Sequence, residues 1–136
     1  MRFENFFCTS PVCSPARASL LTGTIPSQHG VHDWLRDDDE KQSALEYLAG
    51  QYSYTKALAE NGYCCALSGK WHMGAAGKVQ QGFTHWFSHK SGGGPYYGAP
   101  MYKDGVLYRE ERYVTEAITE DALEFLDTRS CLLYTS

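Results

Sequence analysis

Tyr54-Thr55-Lys56-Ala57-Leu58-Ala59-Glu60-Asn61-Gly62-Tyr63-Cys64-Cys65-Ala66-Leu67-Ser68-Gly69 is the stretch that decides the fold class. Residues 54–60 read as a helix, and Asn61-Gly62 closes it, because both residue types tolerate the left-handed conformation that ends helices. Residues 63–67 follow as a short apolar run with the length and flanks of a buried strand, stopped at Gly69. A helix feeding straight into a buried strand implies α/β layering, with a mostly parallel sheet.

Outward from this unit the signals are punctuation and periodicity. Ser14 is a helix N-cap candidate, Pro15 suits a first turn and Gly23 suits the end, which predicts a helix starting near Pro15. Residues 25–52 carry turn formers and charges and read as loop. Residues 88–105 hold Gly92-Gly93-Gly94-Pro95 and also read as loop. Ile118, Ala122 and Phe125 recur at helical spacing, so residues 116–127 are expected to form an amphipathic helix. No internal repeat is present.

Composition narrows the function classes. The chain has 136 residues, 43% apolar and 21% charged, enough for one modest core. No apolar run approaches the roughly 20 residues of a membrane span. The net charge is −4 and no basic stripe appears, so nucleic acid is excluded as an expected partner. The acidic run Asp37-Asp38-Asp39-Glu40 is a solvated loop by charge repulsion rather than a cation site. Cys8, Cys13, Cys64, Cys65 and Cys131 are an odd number at uneven spacing, which fits neither a disulfide framework nor the usual gaps of a zinc site. A small cysteine-based metal-binding module is the non-enzyme alternative.

The chemistry concentrates in two motifs. In Cys13-Ser14-Pro15-Ala16-Arg17-Ala18-Ser19-Leu20-Leu21-Thr22-Gly23, the cysteine sits just ahead of a helix N-terminus, where free N–H groups and the helix dipole favour an anion. Arg17, four residues on, shares its helical face and can reach back toward that anion. A buried structural cysteine is the plain alternative. In Gly69-Lys70-Trp71-His72, a cation and an imidazole follow the strand, and ligand sites of α/β sheets lie at strand carboxyl ends. His32 and Asp33, in His29-Gly30-Val31-His32-Asp33-Trp34, are weaker substrate-binding candidates. Tyr96, Tyr97 and Tyr102 suit packing as well as sugar stacking.

The first motif resembles, at every fixed position, the C-x-P-x-R…T-G signature of formylglycine-dependent sulfatases. The second, Gly62-Tyr63-Cys64-Cys65-Ala66-Leu67-Ser68-Gly69-Lys70-Trp71-His72-Met73-Gly74, resembles that family's G-Y-x-T-x-x-x-G-K-W-H-x-G, with Cys65 where Thr is usual. The resemblance implies an alkaline-phosphatase-like α/β sandwich and a sulfuric ester hydrolase. It implies that Cys13 is oxidised to formylglycine by a formylglycine-generating maturation enzyme. The hydrated aldehyde then attacks sulfur, in covalent catalysis. It further implies that Arg17, Lys70 and His72 are catalytic, with Lys70 on the sulfate oxygens and His72 handling a proton. Calcium is the implied cofactor, with residue 13 the single ligand from this chain, and a sulfated small molecule or glycan is the implied substrate. A phosphonate or phosphate monoester hydrolase is the alternative enzyme.

By the same resemblance, residues 1–130 are expected to be a partial N-terminal catalytic domain, truncated at both ends. The metal-binding Asp pairs of the family match no Asp here. Cys131-Leu132-Leu133-Tyr134-Thr135-Ser136 is similar to a translated transposase end used in sequencing libraries and is expected to be foreign to the domain. The compartment stays open; the resemblance is compatible with a periplasmic or secreted parent.

Overall fold

A computed structural model describes residues 2–36 and 40–133. Asp37-Asp38-Asp39 of the acidic run and Tyr134-Thr135-Ser136 at the end lie outside the described residues. The elements run α1 (Cys13–Thr22), α2 (Pro26–His29), α3 (Glu40–Ser43), α4 (Tyr54–Glu60), β1 (Ala66–Gly69), β2 (His85–His89), β3 (Ala99–Lys103), β4 (Val106–Glu110) and α5 (Val114–Leu133).

The helix–strand unit forms as its residues dictate. The Ser53 hydroxyl caps α4 by accepting from the Lys56 N–H at 3.3 Å. At the other end Gly62 takes φ 84°, which lets the Tyr63 N–H return to the Leu58 carbonyl at 3.0 Å. That return bond holds Tyr63 in the exit from α4 and leaves its ring exposed. Strand β1 therefore begins at Ala66 rather than at residue 63.

The sheet has four strands in the order β1-β2-β3-β4. Only β1 and β2 are parallel, and β2–β3 and β3–β4 are antiparallel. The expectation of a mostly parallel sheet is corrected here. The link between β2 and β3 has no helix and is too short for the dozen or more residues a parallel crossover requires. Residues 88–105 are likewise not all loop, since they include the end of β2 and all of β3. The hairpin of β3 and β4 turns on Asp104-Gly105, with φ 48° and 87°. Positive φ at both central residues is the turn type whose twist matches paired strands. Short helices α2 and α3 also interrupt the predicted loop at 25–52.

Alternation along β2 divides the core between the two faces of the sheet. Trp86 points to one side, where it packs with Ala18, Leu21, Val31, Trp71 and Met73. Phe87 points to the other, where it packs with Ala99, Met101, Val114 and Ala117. Helix α1 thus lies on one face and α5 on the other. Trp71, Phe83 and Trp86 meet edge-on with ring centroids 5.2–6.0 Å apart. Both indoles are also bonded, Trp71 Nε1–H to the Gly74 carbonyl at 2.8 Å and Trp86 Nε1–H to the Ala76 carbonyl at 2.7 Å. This buried cluster holds the segment after β1 rigid, and Lys70 and His72 flank its central tryptophan.

Candidate active site

Helix α1 begins at Cys13, two residues before the predicted start, with Val12 extended at the N-cap. Ser14 is not the cap. Its hydroxyl lies 3.4 Å from His72 Nδ1 and accepts from the Leu35 N–H at 3.3 Å. The first turn of any helix leaves N–H groups without intrahelical partners. Here those of Cys13 and Ser14 belong to that turn, while Pro15 has none to offer. The helix closes as predicted, with Gly23 at φ 69° and its N–H bonded to the Ser19 carbonyl at 2.9 Å.

His72 is the centre of the site and is 3% exposed. Its Nδ1 lies 3.2 Å from Cys13 Sγ, and its Nε2 lies 2.9 Å from the Leu35 carbonyl oxygen. A carbonyl can only accept, so Nε2 carries the proton. In the neutral ring Nδ1 is then an acceptor, aimed at the side chain of residue 13. The backbone of His72 stands at φ 58°, a left-handed value that is uncommon outside glycine and that clusters at functional sites. Trp34 meets the ring edge-on at 6.1 Å. On another side Gly92 is so close that an added Cβ would lie 2.5 Å from ring atoms.

Arg17 brings positive charge next to Cys13, and Lys70 brings it next to His89. The Arg17 Nη1 donates to the Lys70 main-chain oxygen at 2.7 Å, which ties α1 to the end of β1. Burial lowers the Arg17 pKa, and nearby Cys13 pulls the other way. No ion pair with a carboxylate is formed by Arg17 or Lys70 among the described residues. A cation without a matching acid beside a nucleophile position suits an anionic ligand.

The structure brings Cys13 and His72 into contact across 59 residues of sequence and bonds Arg17 to the main chain of Lys70. His32 and Asp33 are not part of either contact. Both side chains are exposed, and Asp33 Oδ1 accepts the Trp34 N–H at 2.7 Å as an ordinary turn bond. Their segment contributes through Leu35 and Trp34 instead. Leu35 acts through its backbone and leaves no mark in a sequence, whereas the run of glycines at 92–94 was a readable sign of close approach. His29 is buried and structural, with Nε2 2.9 Å from Ser19 Oγ and Nδ1 accepting from the Val31 N–H at 3.1 Å. Tyr96 and Tyr97, 68% and 67% exposed, lean on Tyr113, while Tyr102 packs beside Gly77. Among the described residues, no three His, Cys, Asp or Glu side chains gather as a metal group. The reading as a cysteine-based metal module therefore gains no support.

The Sulfatase family model matches residues 1–134. The chain belongs to the sulfatase family. It is 31% identical to N-acetylglucosamine-6-O-sulfatase of Bacteroides thetaiotaomicron over 98% of this chain and 23% of that protein. It is 30% identical to N-acetylgalactosamine-6-sulfatase of Mus musculus over 95% of this chain and 30% of that protein. Among solved structures it resembles BT4656 in complex with its substrate D-glucosamine-2-N,6-O-disulfate. That likeness has a TM-score of 0.76 and 31% identity, covering 93% of this chain and 24% of that one. The chain thus spans about a quarter to a third of the length of these relatives. Its α/β class is that of the alkaline-phosphatase-like sulfatases. No helix among the described residues of this sulfatase chain is long and apolar enough to cross a membrane.

Proposed function

We propose that this sulfatase chain carries part of the catalytic site of a sulfuric ester hydrolase, with residue 13, as formylglycine, in the nucleophile position. The carrying observation is the contact of Cys13 Sγ with His72 Nδ1 at 3.2 Å, with the cation Arg17 nearby and bonded to the Lys70 main chain. The half-buried Cys13 side chain lies beside a basic nitrogen at the first turn of α1, surroundings that fit an aldehyde and its hydrate. When formed, that group supplies an oxygen nucleophile toward sulfur. His72 Nδ1, held in acceptor form by the Leu35 carbonyl, takes and holds a proton at the end of residue 13. Arg17 and Lys70 bind and orient the sulfate oxygens and stabilise the charge that grows on them. The substrate class is a sulfated glycan, supported by relatives named for N-acetylated hexosamine sulfates and by the disulfated glucosamine complex.

Calcium does not fit the described residues on their own. A calcium site takes about six to eight oxygen ligands, and no three candidate side chains gather among the described residues.

Co-expression of the chain with a formylglycine-generating enzyme tests the reading. The peptide holding Cys13 is expected to lose its thiol mass and react with aldehyde probes, while Cys8, Cys64 and Cys65 stay thiols. An unmodified Cys13 beside a fully converted control sulfatase overturns it.

A further inference from the structure

The parallel register of β1 and β2 ends on the pair Gly69 and Ser88. The residues that follow are Lys70, just past β1, and His89, the last of β2. Both lie at strand carboxyl ends, where α/β sheets bind ligands, and the Lys70 charge is felt at His89. The loop after β2 joins this position to the site already described. Gly92 lies against the His72 ring, and a Cβ on Gly94 would be 3.9 Å from His89 Nδ1. One glycine loop therefore spans both imidazoles.

His89 Nδ1 is buried and has no hydrogen-bond partner among the described residues. Buried polar atoms in folded proteins are almost always paired, and one that is not has an unfilled capacity that calls for a reason. Burial, and then the charge of Lys70, lower the His89 pKa and keep the ring neutral. A neutral imidazole offers one donor and one acceptor. That pair complements a hydroxyl, whereas Arg17 and Lys70 complement an anion.

We propose that His89 is a substrate-contacting residue that hydrogen-bonds a sugar hydroxyl next to the sulfate ester held by Lys70. The proposal rests on the reading of Lys70 as a sulfate-binding residue, and it adds the means by which the site distinguishes a sugar sulfate from a bare alkyl sulfate.

Proton–carbon NMR spectra of the histidine rings and lysine side chains of the whole chain test it, with methyl sulfate and N-acetylglucosamine 6-sulfate as probes. Both probes are expected to move the Lys70 and His72 signals, and only the sugar sulfate those of His89. His89→Ala is expected to weaken the sugar sulfate about fivefold, the scale of one net hydrogen bond, and to leave methyl sulfate unchanged. His89→Gln, which keeps a donor and an acceptor, is expected to retain most of the affinity. A sugar sulfate that moves Lys70 and His72 but not His89 overturns the inference and spares the sulfate site. Equal losses for both probes in His89→Ala make the residue structural and overturn it too. If neither probe moves Lys70 or His72, the sulfate-site reading fails and the inference with it. Should His89→Ala not fold, the wild-type shifts decide.

Discussion

The Nε2–H of His72 donates to the Leu35 carbonyl oxygen across 2.9 Å, and this one bond fixes which nitrogen faces Cys13. Moving the proton to Nδ1 would leave two acceptors facing each other at Leu35 and take the basic atom away from residue 13. Nitrogen NMR of the chain is expected to show, for the neutral His72 ring, a protonated Nε2 and an unprotonated Nδ1. The opposite tautomer would remove the proton acceptor from the proposed chemistry.

Gly92 controls the position of that ring. A Cβ there would stand 2.5 Å from His72 Cε1 and Nε2, whereas one on Gly93 would meet nothing within 4 Å. Gly92→Ala is expected to destabilise the chain by about 1–3 kcal/mol, the cost of overpacking a filled site, and to displace the His72 signals. Gly93→Ala is expected to stay within about 0.5 kcal/mol of wild type. Thermal melts of the two variants check this pair, and equal stabilities would mean that the loop does not press on the ring.

What could be read in advance followed from residue types with only one structural use. Pro15 and Gly23 marked α1, and Gly69 after an apolar run marked the end of β1. Strands β3 and β4 were hidden because Ala99-Pro100-Met101-Tyr102-Lys103 lacks alternation and stands close to four turn formers. Yet Asp104-Gly105 is a strong hairpin signal in its own right, and reading it as loop cost the antiparallel half of the sheet. Leu35 and Ser14 could not be assigned from sequence. Their roles depend on where a carbonyl and a hydroxyl fall once α1 and the segment after β1 meet.

Arg17, Lys70 and His72 have separable effects. In an active sulfatase context carrying residues 2–130, each change to Ala is expected to lower kcat roughly 100-fold or more, the scale for losing one preorganised charge-stabilising group. Lys70→Ala should act without unfolding the chain, because its ammonium makes no ion pair among the described residues. Arg17→Ala should also cost stability, since its guanidinium bonds the Lys70 carbonyl. Steady-state kinetics beside melting curves check both halves. A Lys70→Ala enzyme at near wild-type rate removes Lys70 from the site.

Glu110 gives the fold a pH-dependent anchor away from the site. Its carboxylate accepts from Arg112 Nε at 2.9 Å, Arg112 Nη2 at 3.0 Å and the Tyr108 hydroxyl at 3.2 Å, and Arg112 also pairs with Glu120 on α5. The bonds from Arg112 lead in bringing the Glu110 pKa down to about 2, against the opposing effect of its burial. A carboxyl whose folded value lies below its unfolded one stabilises the fold above the unfolded value and loses that contribution as pH falls toward the folded one. The window therefore runs from about 4.5 down to about 2. At pH 7, Glu110→Gln is expected to lower the melting midpoint by roughly 3–6 °C, the shift that about 1 kcal/mol gives a domain of this size. As pH falls through the window the wild type loses its advantage, because its own carboxyl becomes protonated and resembles the amide. Melting curves of both proteins at several values from pH 7 to pH 3 check this. A gap that stays constant down to pH 3 would mean that the Arg112 contact contributes nothing to stability through its charge.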